Sequence, residues 1–277
     1  LTKESCGVEI TSTQLMENAK KINFFYPNLF GSQRFGSLRE NTDKIGLLML
    51  KEDFQGAVNE FLTGTGENES ETSTAARKRL AEENDYALAQ EYFPQSLRYE
   101  LFLIRHLARN TTDFIGALRK LPRMLQMTFI HAVQSRIFNE FLEKRLVEGL
   151  TAREGDLVCP PEEFGFPDVE KMKKVEDVEK ERELVNSGKS FILGKLIGYE
   201  TEIIEEEKSA LEKRGLTRES FRLKRMPELS SKGNFRSLAV PISGLQVLSE
   251  NPLVVQFSLP SGAYATTALD YLLATAV

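Results

Sequence analysis

Apolar positions recur every three or four residues through much of the chain, and these recurrences set out a succession of helices. Thr11 with Gln14 makes a capping box for a helix to about Lys21, whose apolar side is Leu15, Met16, Ala19 and Ile22. From Asn41 the stripe is Ile45, Leu48 and Met49, and Asp53 then caps a helix that buries Phe54, Val58, Phe61 and Leu62. Further helices are predicted over Thr74–Glu83, Tyr86–Tyr92 and Leu97–Arg109, and Asp113 caps a short one before Pro122. The longest runs from about Met124 to Glu148, with Met127, Ile130, Val133, Ile137 and Phe141 as a core stripe and Gly149 as its stop. Gln134, Arg136 and Asn139 lie on its other sides and are expected to serve structure before any ligand.

Elsewhere the period changes. DLVCP from Asp156, SFILGKLIG from Ser190, the end of SSKGNFRSLAVP, Gln246–Ser249 and Leu253–Leu259 read as strands, the last two separated by a Glu-Asn-Pro turn. Charged helices are expected over Val175–Val185 and Glu202–Arg214, and a closing helix over Ala263–Ala274. The opening LTKESCGVEI reads as the end of a strand, and Gly64–Thr74 as a polar, mobile loop. The fold class this implies is α+β, with strand-rich ends, 1–52 and 236–277, forming one domain and a mostly helical middle, 53–235, inserted into it.

Composition narrows the class. At 277 residues, 41% hydrophobic and 28% charged, the chain fits one or two globular domains. Its apolar runs, Ile45–Leu50 and Ser190–Ile197, fall well short of the roughly 18 residues that span a bilayer, so no membrane is expected and the cytoplasm is the default location. Cys6, Cys159, His106 and His131 have no metal-ligand spacing; no metal is expected, and the cysteines read as reduced thiols. The net charge of -5 argues mildly against nucleic acid, but its distribution is uneven. Arg98–Arg153 carries ten bases to five acids and Gly215–Arg236 six to two, while Glu154–Arg214 reverses the balance.

The densest chemistry lies in Pro27–Gly36, PNLFGSQRFG. Phe30 and Phe35 are each followed by glycine, and Asn28, Gln33 and Arg34 place amides and a guanidinium beside them. Aromatic faces next to amides suit a nucleobase, held by stacking and read along its edge. A turn whose phenylalanines plug the core is the other reading that composition allows.

The loop resembles the Asn-x-Phe-Gly-x-Gln-Arg-Phe-Gly signature of the TruD family of tRNA pseudouridine synthases. LPSGAYATTALDYLL, Leu259–Leu273, is similar to a second family segment; FIHAVQSRIFNEFLEKRL, Phe129–Leu146, resembles its helix with a Gln-Ser-x-x-Phe-Asn core; and GDLV, Gly155–Val158, its Gly-Asp-x-Val. The resemblance implies a pseudouridine-synthase catalytic domain of helices and mixed or antiparallel sheet, interrupted by a largely helical TRUD insertion domain. It implies a tRNA partner and the isomerisation of a uridine, uridine-13 of the D-stem region, by cutting the glycosidic bond, turning the base and rejoining it through carbon. That chemistry is redox-neutral and calls for no cofactor. Residue by residue, Asn28 aligns with the family's asparagine that contacts the target nucleotide, Phe30 with a phenylalanine of the same pocket, and Tyr264 with an aromatic position near the uracil. Gln33 and Arg34 match the loop motif, with Arg34 the better placed to reach a phosphate.

The resemblance also implies an essential aspartate in a Gly-x-Lys-Asp segment upstream of the loop. Asp43 and Asp53 follow the loop and lack that context, so no catalytic residue is assigned. The nucleophile is expected upstream of Leu1, which would leave this chain alone inactive. A family member that binds RNA without catalysis is the alternative, and a helical interaction scaffold a distant third. Oligomeric state is not legible. The site expected is a slot for an unstacked base, walled by Phe30 and Tyr264.

Overall fold

A computed structural model describes residues 10–274; the strand expected over residues 1–10 lies outside them except for Ile10. In chain order the regular elements used below are helix α1 (Ser12–Lys21), strand β1 (Phe25–Pro27), α2 (Thr42–Leu50), α3 (Phe54–Thr63), α4 (Glu71–Glu83), α5 (Tyr86–Tyr92), α6 (Arg98–Leu107), α7 (Phe114–Leu118) and α8 (Arg123–Glu148). There follow β2 (Leu157–Cys159), β3 (Lys173–Lys174), α9 (Val178–Asn186), β4 (Phe191–Ile197), α10 (Glu205–Glu212), β5 (Gly233–Ser237), β6 (Ala239–Pro241), β7 (Ser243–Glu250), β8 (Leu253–Ser258) and α11 (Ala265–Leu273). The class is α+β with antiparallel strand pairing.

The chain divides into two compact units. The first takes Leu1–Gly31, Phe138–Lys195 and Phe235–Val277, and the second Ser32–Ile137 and Leu196–Asn234. These cuts follow compactness: one, at 234/235, lies a single residue from the expected 235/236, and none falls at 52/53. Segment 138–195 joins the first unit because its strand residues bond there: the Leu238 N–H donates to the Ile192 carbonyl at 2.8 Å, and the Phe25 and Phe191 rings lie 6.2 Å apart.

In the first unit β1 pairs with β6, Tyr26 opposite Val240, and β7 pairs with β8 in a hairpin. The remaining sheet runs β3-β2-β4-β5. Leu15 and Ala19 of α1, Tyr26, Val240, Ala268 and Leu272 bury one core there, which fixes α11 and β1 together. The α1 start is the capping box read from the sequence, the Gln14 N–H donating to Thr11 Oγ1 at 3.2 Å and the Thr11 N–H to Gln14 Oε1 at 2.9 Å.

The second unit is almost wholly helical, around one core that takes Ile45, Met49, Val58, Leu80, Ile104, Ile130 and Val133. Gly46 lets α2 approach α8: a Cβ there would overlap the Phe129 carbonyl. Helix α4 begins at Glu71, earlier than the pattern predicts, because Ser70 supplies the cap to the Ser73 N–H. The polar stretch before it is tied down by Glu69, whose carboxylate accepts from Arg77 Nε at 2.8 Å. No helix among the described residues is long and apolar enough to cross a membrane.

Candidate substrate site

Phe30 stands just after β1, where the chain leaves the β1–β6 pair. Its backbone is held by a side chain of α8: Asn139 Oδ1 accepts from the Phe30 N–H and Asn139 Nδ2 donates to the Phe30 carbonyl, both at 2.9 Å. One amide thus imitates a neighbouring strand, and its burial costs little because both ends are satisfied. The Phe30 ring meets Phe138 edge-on with centroids 5.6 Å apart, and Tyr264 at 6.0 Å and 68°. Gly31 makes that approach possible, since a Cβ there would stand 3.1 Å from Tyr264 Cδ1.

Arg236, in β5, covers the Phe30 ring with its guanidinium carbon 4.0 Å from the centroid. Its Nε donates to the Asn28 carbonyl at 3.0 Å, its Nη2 to Asn28 Oδ1 at 2.5 Å, and its Nη1 to the Gly262 carbonyl at 2.9 Å. Asn28 is buried, and its Nδ2 donates to the Ser237 carbonyl at 3.0 Å. Both ends of the Asn28 amide are therefore engaged by protein, and its position fixes that of Arg236. Burial pushes the nearby Tyr26 hydroxyl up to about 12, against a smaller opposing pull from Arg236.

The first unit therefore brings Asn28, Phe30 and Tyr264 together. Phe30 and Tyr264 adjoin rather than face each other. A base sandwiched between parallel rings would hold them about 7 Å apart, two van der Waals contacts of roughly 3.5 Å, and these rings are closer and steeply inclined. Phe30 is only 6% exposed, whereas Tyr264 is half-buried at the start of α11. Of the two, Tyr264 is the more accessible.

Gln33 and Arg34 belong to the second unit, in a single turn of 3-10 helix, Ser32–Arg34. Gln33 is exposed and Arg34 half-buried. Phe35 is buried under the Arg136 guanidinium, 3.7 Å from its centroid, and Arg136 Nε donates to Asp43 Oδ2 at 2.9 Å. Burial, and then the positive charge of Arg34, hold the His131 imidazole below its usual value, so it is neutral at neutral pH. Gln134 donates to the Ile197 carbonyl at 2.8 Å and to Ser231 Oγ at 2.9 Å. Cys159 is a buried free thiol pushed up to about 12, first by burial and then by Asp168, which makes it unreactive.

The model of the tRNA pseudouridine synthase D (TruD) family matches residues 3–270. The chain belongs to the TruD family. It is 35% identical over 260 residues to a probable tRNA pseudouridine synthase D of Methanosarcina acetivorans, which covers 88% of this chain and 59% of that protein. Against the same-named protein of Thermoplasma volcanium the identity is 37% over 255 residues, 88% of this chain and 60% of that one. The crystal structure of a putative TruD from Methanosarcina mazei superposes with a TM-score of 0.82 at 32% identity, covering 94% of this chain and 64% of that one. The chain thus spans about three-fifths of the length of these curated relatives.

Sequence reasoning reached this TruD chain's aromatic pair and missed Arg236, which appears in the text only as one base in a basic stretch. The usable signal was Asn28: a buried amide oxygen needs a donor. Nothing local says that the donor lies at the other end of the chain.

Proposed function

We propose that this chain forms part of a tRNA pseudouridine synthase acting on uridine-13 of the D-stem region. The observation that carries the reading is the meeting of the two motif segments, Phe30 against Tyr264, with Arg236 laid over Phe30. Reaching C1′ and the ring requires the uridine to leave its stack. The half-buried Tyr264 ring then offers the uracil a face, and Phe30, itself set edge-on against Phe138, holds Tyr264 at its angle. Asn28 acts by fixing Arg236, which puts positive charge beside the bound nucleotide. Gln33 and Arg34, in the other unit, serve the RNA backbone. The reaction breaks the C1′–N1 bond and forms C1′–C5, the ring losing a proton at C5 and gaining one at N1, and so is redox-neutral. No nucleophilic aspartate is assigned within this chain, which supplies the walls of the site. In domain terms, 1–52 and 236–277 belong to the catalytic domain and 53–235 to the insertion.

The test uses the full-length protein and tRNA labelled in uridine. Pseudouridine should form catalytically, and Tyr264→Ala should lower turnover by an order of magnitude or more for want of a stacking face, about 1–3 kcal/mol. Absence of pseudouridine at stoichiometric protein would exclude the enzyme and leave an RNA-binding member of the family.

A further inference from the structure

Helix α6 sorts its residues onto two faces. Leu101, Ile104 and Leu107 enter the second unit's core, while Arg98, Phe102, Arg105 and, just past the helix end, Arg109 are exposed along the other. Phe102, Arg105 and Arg109 join His106, Asn110 and Lys120 to line one open recess of about 560 Å³.

What marks this recess is the lack of counter-charge. Some exposed arginines elsewhere have carboxylate partners, Arg79 with Glu83, Arg119 with Glu228 and Arg182 with Glu179, and others, Arg98 and Arg225, have none among the described residues; here three such cations converge on one recess. Arg105, Arg109 and Lys120 have no ion-pair partner among the described residues. The carboxylate next to them, Asp113, is engaged by His106 Nε2 at 2.8 Å and by the Gly116 N–H at 2.9 Å. In a chain of net charge -5, three exposed cations without an ion-pair partner around one recess make a local positive field that attracts an anion. Beside them stand two rings open to solvent, Phe102 at 38% and Tyr99 at 45% exposure, with centroids 6.3 Å apart. Cations that track a backbone next to aromatic faces that accept a base form the pattern of RNA contact.

We propose that this recess is an RNA contact of its own, in which Arg105, Arg109 and Lys120 bind the phosphodiester backbone of tRNA and Phe102 packs against an adjoining nucleoside. It rests on the tRNA reading above. Affinity for unmodified tRNA is measured with the full-length protein across a series of salt concentrations. The triple variant Arg105→Gln/Arg109→Gln/Lys120→Gln should weaken binding about tenfold or more at low salt and flatten the slope of log affinity against log salt by about two, with each single variant contributing about 0.7. Phe102→Ala should weaken binding with the slope unchanged. A control at paired arginines, Arg79→Gln/Arg182→Gln, should leave both quantities alone. Unchanged affinity and slope in the single and triple variants, with the wild type binding normally, overturns the proposal while the enzymatic reading stands. A wild type that fails to bind tRNA overturns both. Loss of binding to a polyglutamate probe, with tRNA affinity kept, overturns it in favour of an acidic polypeptide partner.

Discussion

Arg236 commits its guanidinium to protein, with three hydrogen bonds to Asn28 and Gly262 and a ring of Phe30 beneath it. Arg105, Arg109 and Lys120, in the other unit, have no ion-pair partner among the described residues and are exposed to solvent. The same charge thus does two different things. A cation anchored at several points cannot follow a ligand, so it offers one geometry and favours discrimination. Solvated cations on flexible stems accept many backbone geometries and contribute affinity that salt screens. The first arrangement suits a site where one base must be placed, the second a surface that holds a larger RNA.

Arg77 carries anchoring furthest, and removing it should have the largest effect on the fold. It is 1% exposed, and donates to Glu69 at 2.8 Å, to Glu100 at 2.6 Å and to the Phe61 and Leu62 carbonyls at 3.0 and 2.9 Å. Arg77→Ala strands two carboxylates near the core, with only Arg39 Nη2, 3.5 Å from Glu100, as partial relief. The expected loss is about 3–5 kcal/mol, read from the urea midpoint. Arg105→Gln should move the same midpoint by less than about 0.5 kcal/mol. Equal losses in the two would erase the distinction between anchored and free cations.

Arg236→Ala comes next. Three acceptors around Phe30 lose their donor, and the ring loses its cation, for a loss of about 2–3 kcal/mol. Under the proposed function, turnover in the full-length enzyme should fall further than that instability explains at a temperature where the variant is folded. Arg236→Lys sharpens the point: it keeps the charge but cannot bridge Asn28 and Gly262 at once, so it should recover little turnover. Full activity in Arg236→Lys would mean that charge alone matters there.

How much of this was legible depended on whether a feature was local. Helix α1, α3 and α7 announced themselves through Thr11, Asp53 and Asp113, because a cap and its N–H partner lie within three residues. The start of α4 was misjudged, since Ser70 sits among other polar residues that could equally have capped or looped. On α8 the apolar stripe was plain, but Gln134, Asn139 and Arg145 are buried as well. Their burial is invisible in the text because each is satisfied by a partner from a distant segment, such as Ile197 or Phe30, or by a turn, as Asp156 is for Arg145. Strand β1 is three residues long, and only its register with β6 makes it a strand. That Phe30 and Tyr264 meet was readable through motif resemblance; their inclined contact and the arginine covering Phe30 follow from packing that no periodicity encodes.

The smallest effect is expected at Tyr26, whose situation inverts that of Arg236: its hydroxyl is buried and has no hydrogen-bond partner among the described residues. A buried donor without an acceptor costs free energy, so Tyr26→Phe should leave stability at pH 8 unchanged or raise it by up to about 1 kcal/mol. The pH dependence gives a second reading. An acid raised from 10.0 to about 12 on folding ionises first in the unfolded chain, so its contribution is intact below pH 10 and drains away between pH 10 and 12. Over those two pH units the loss amounts to about 3 kcal/mol at most. Cys159, raised from 9.0 to about 12, acts in the same direction from one unit lower, so the wild type should weaken from about pH 9 and more steeply above 10. Tyr26→Phe should remove only the steeper part, measured as urea midpoints across that range. A variant less stable than wild type by more than about 1 kcal/mol at pH 8 would mean that the hydroxyl is bonded after all, and that Arg236 or a bound water is its partner.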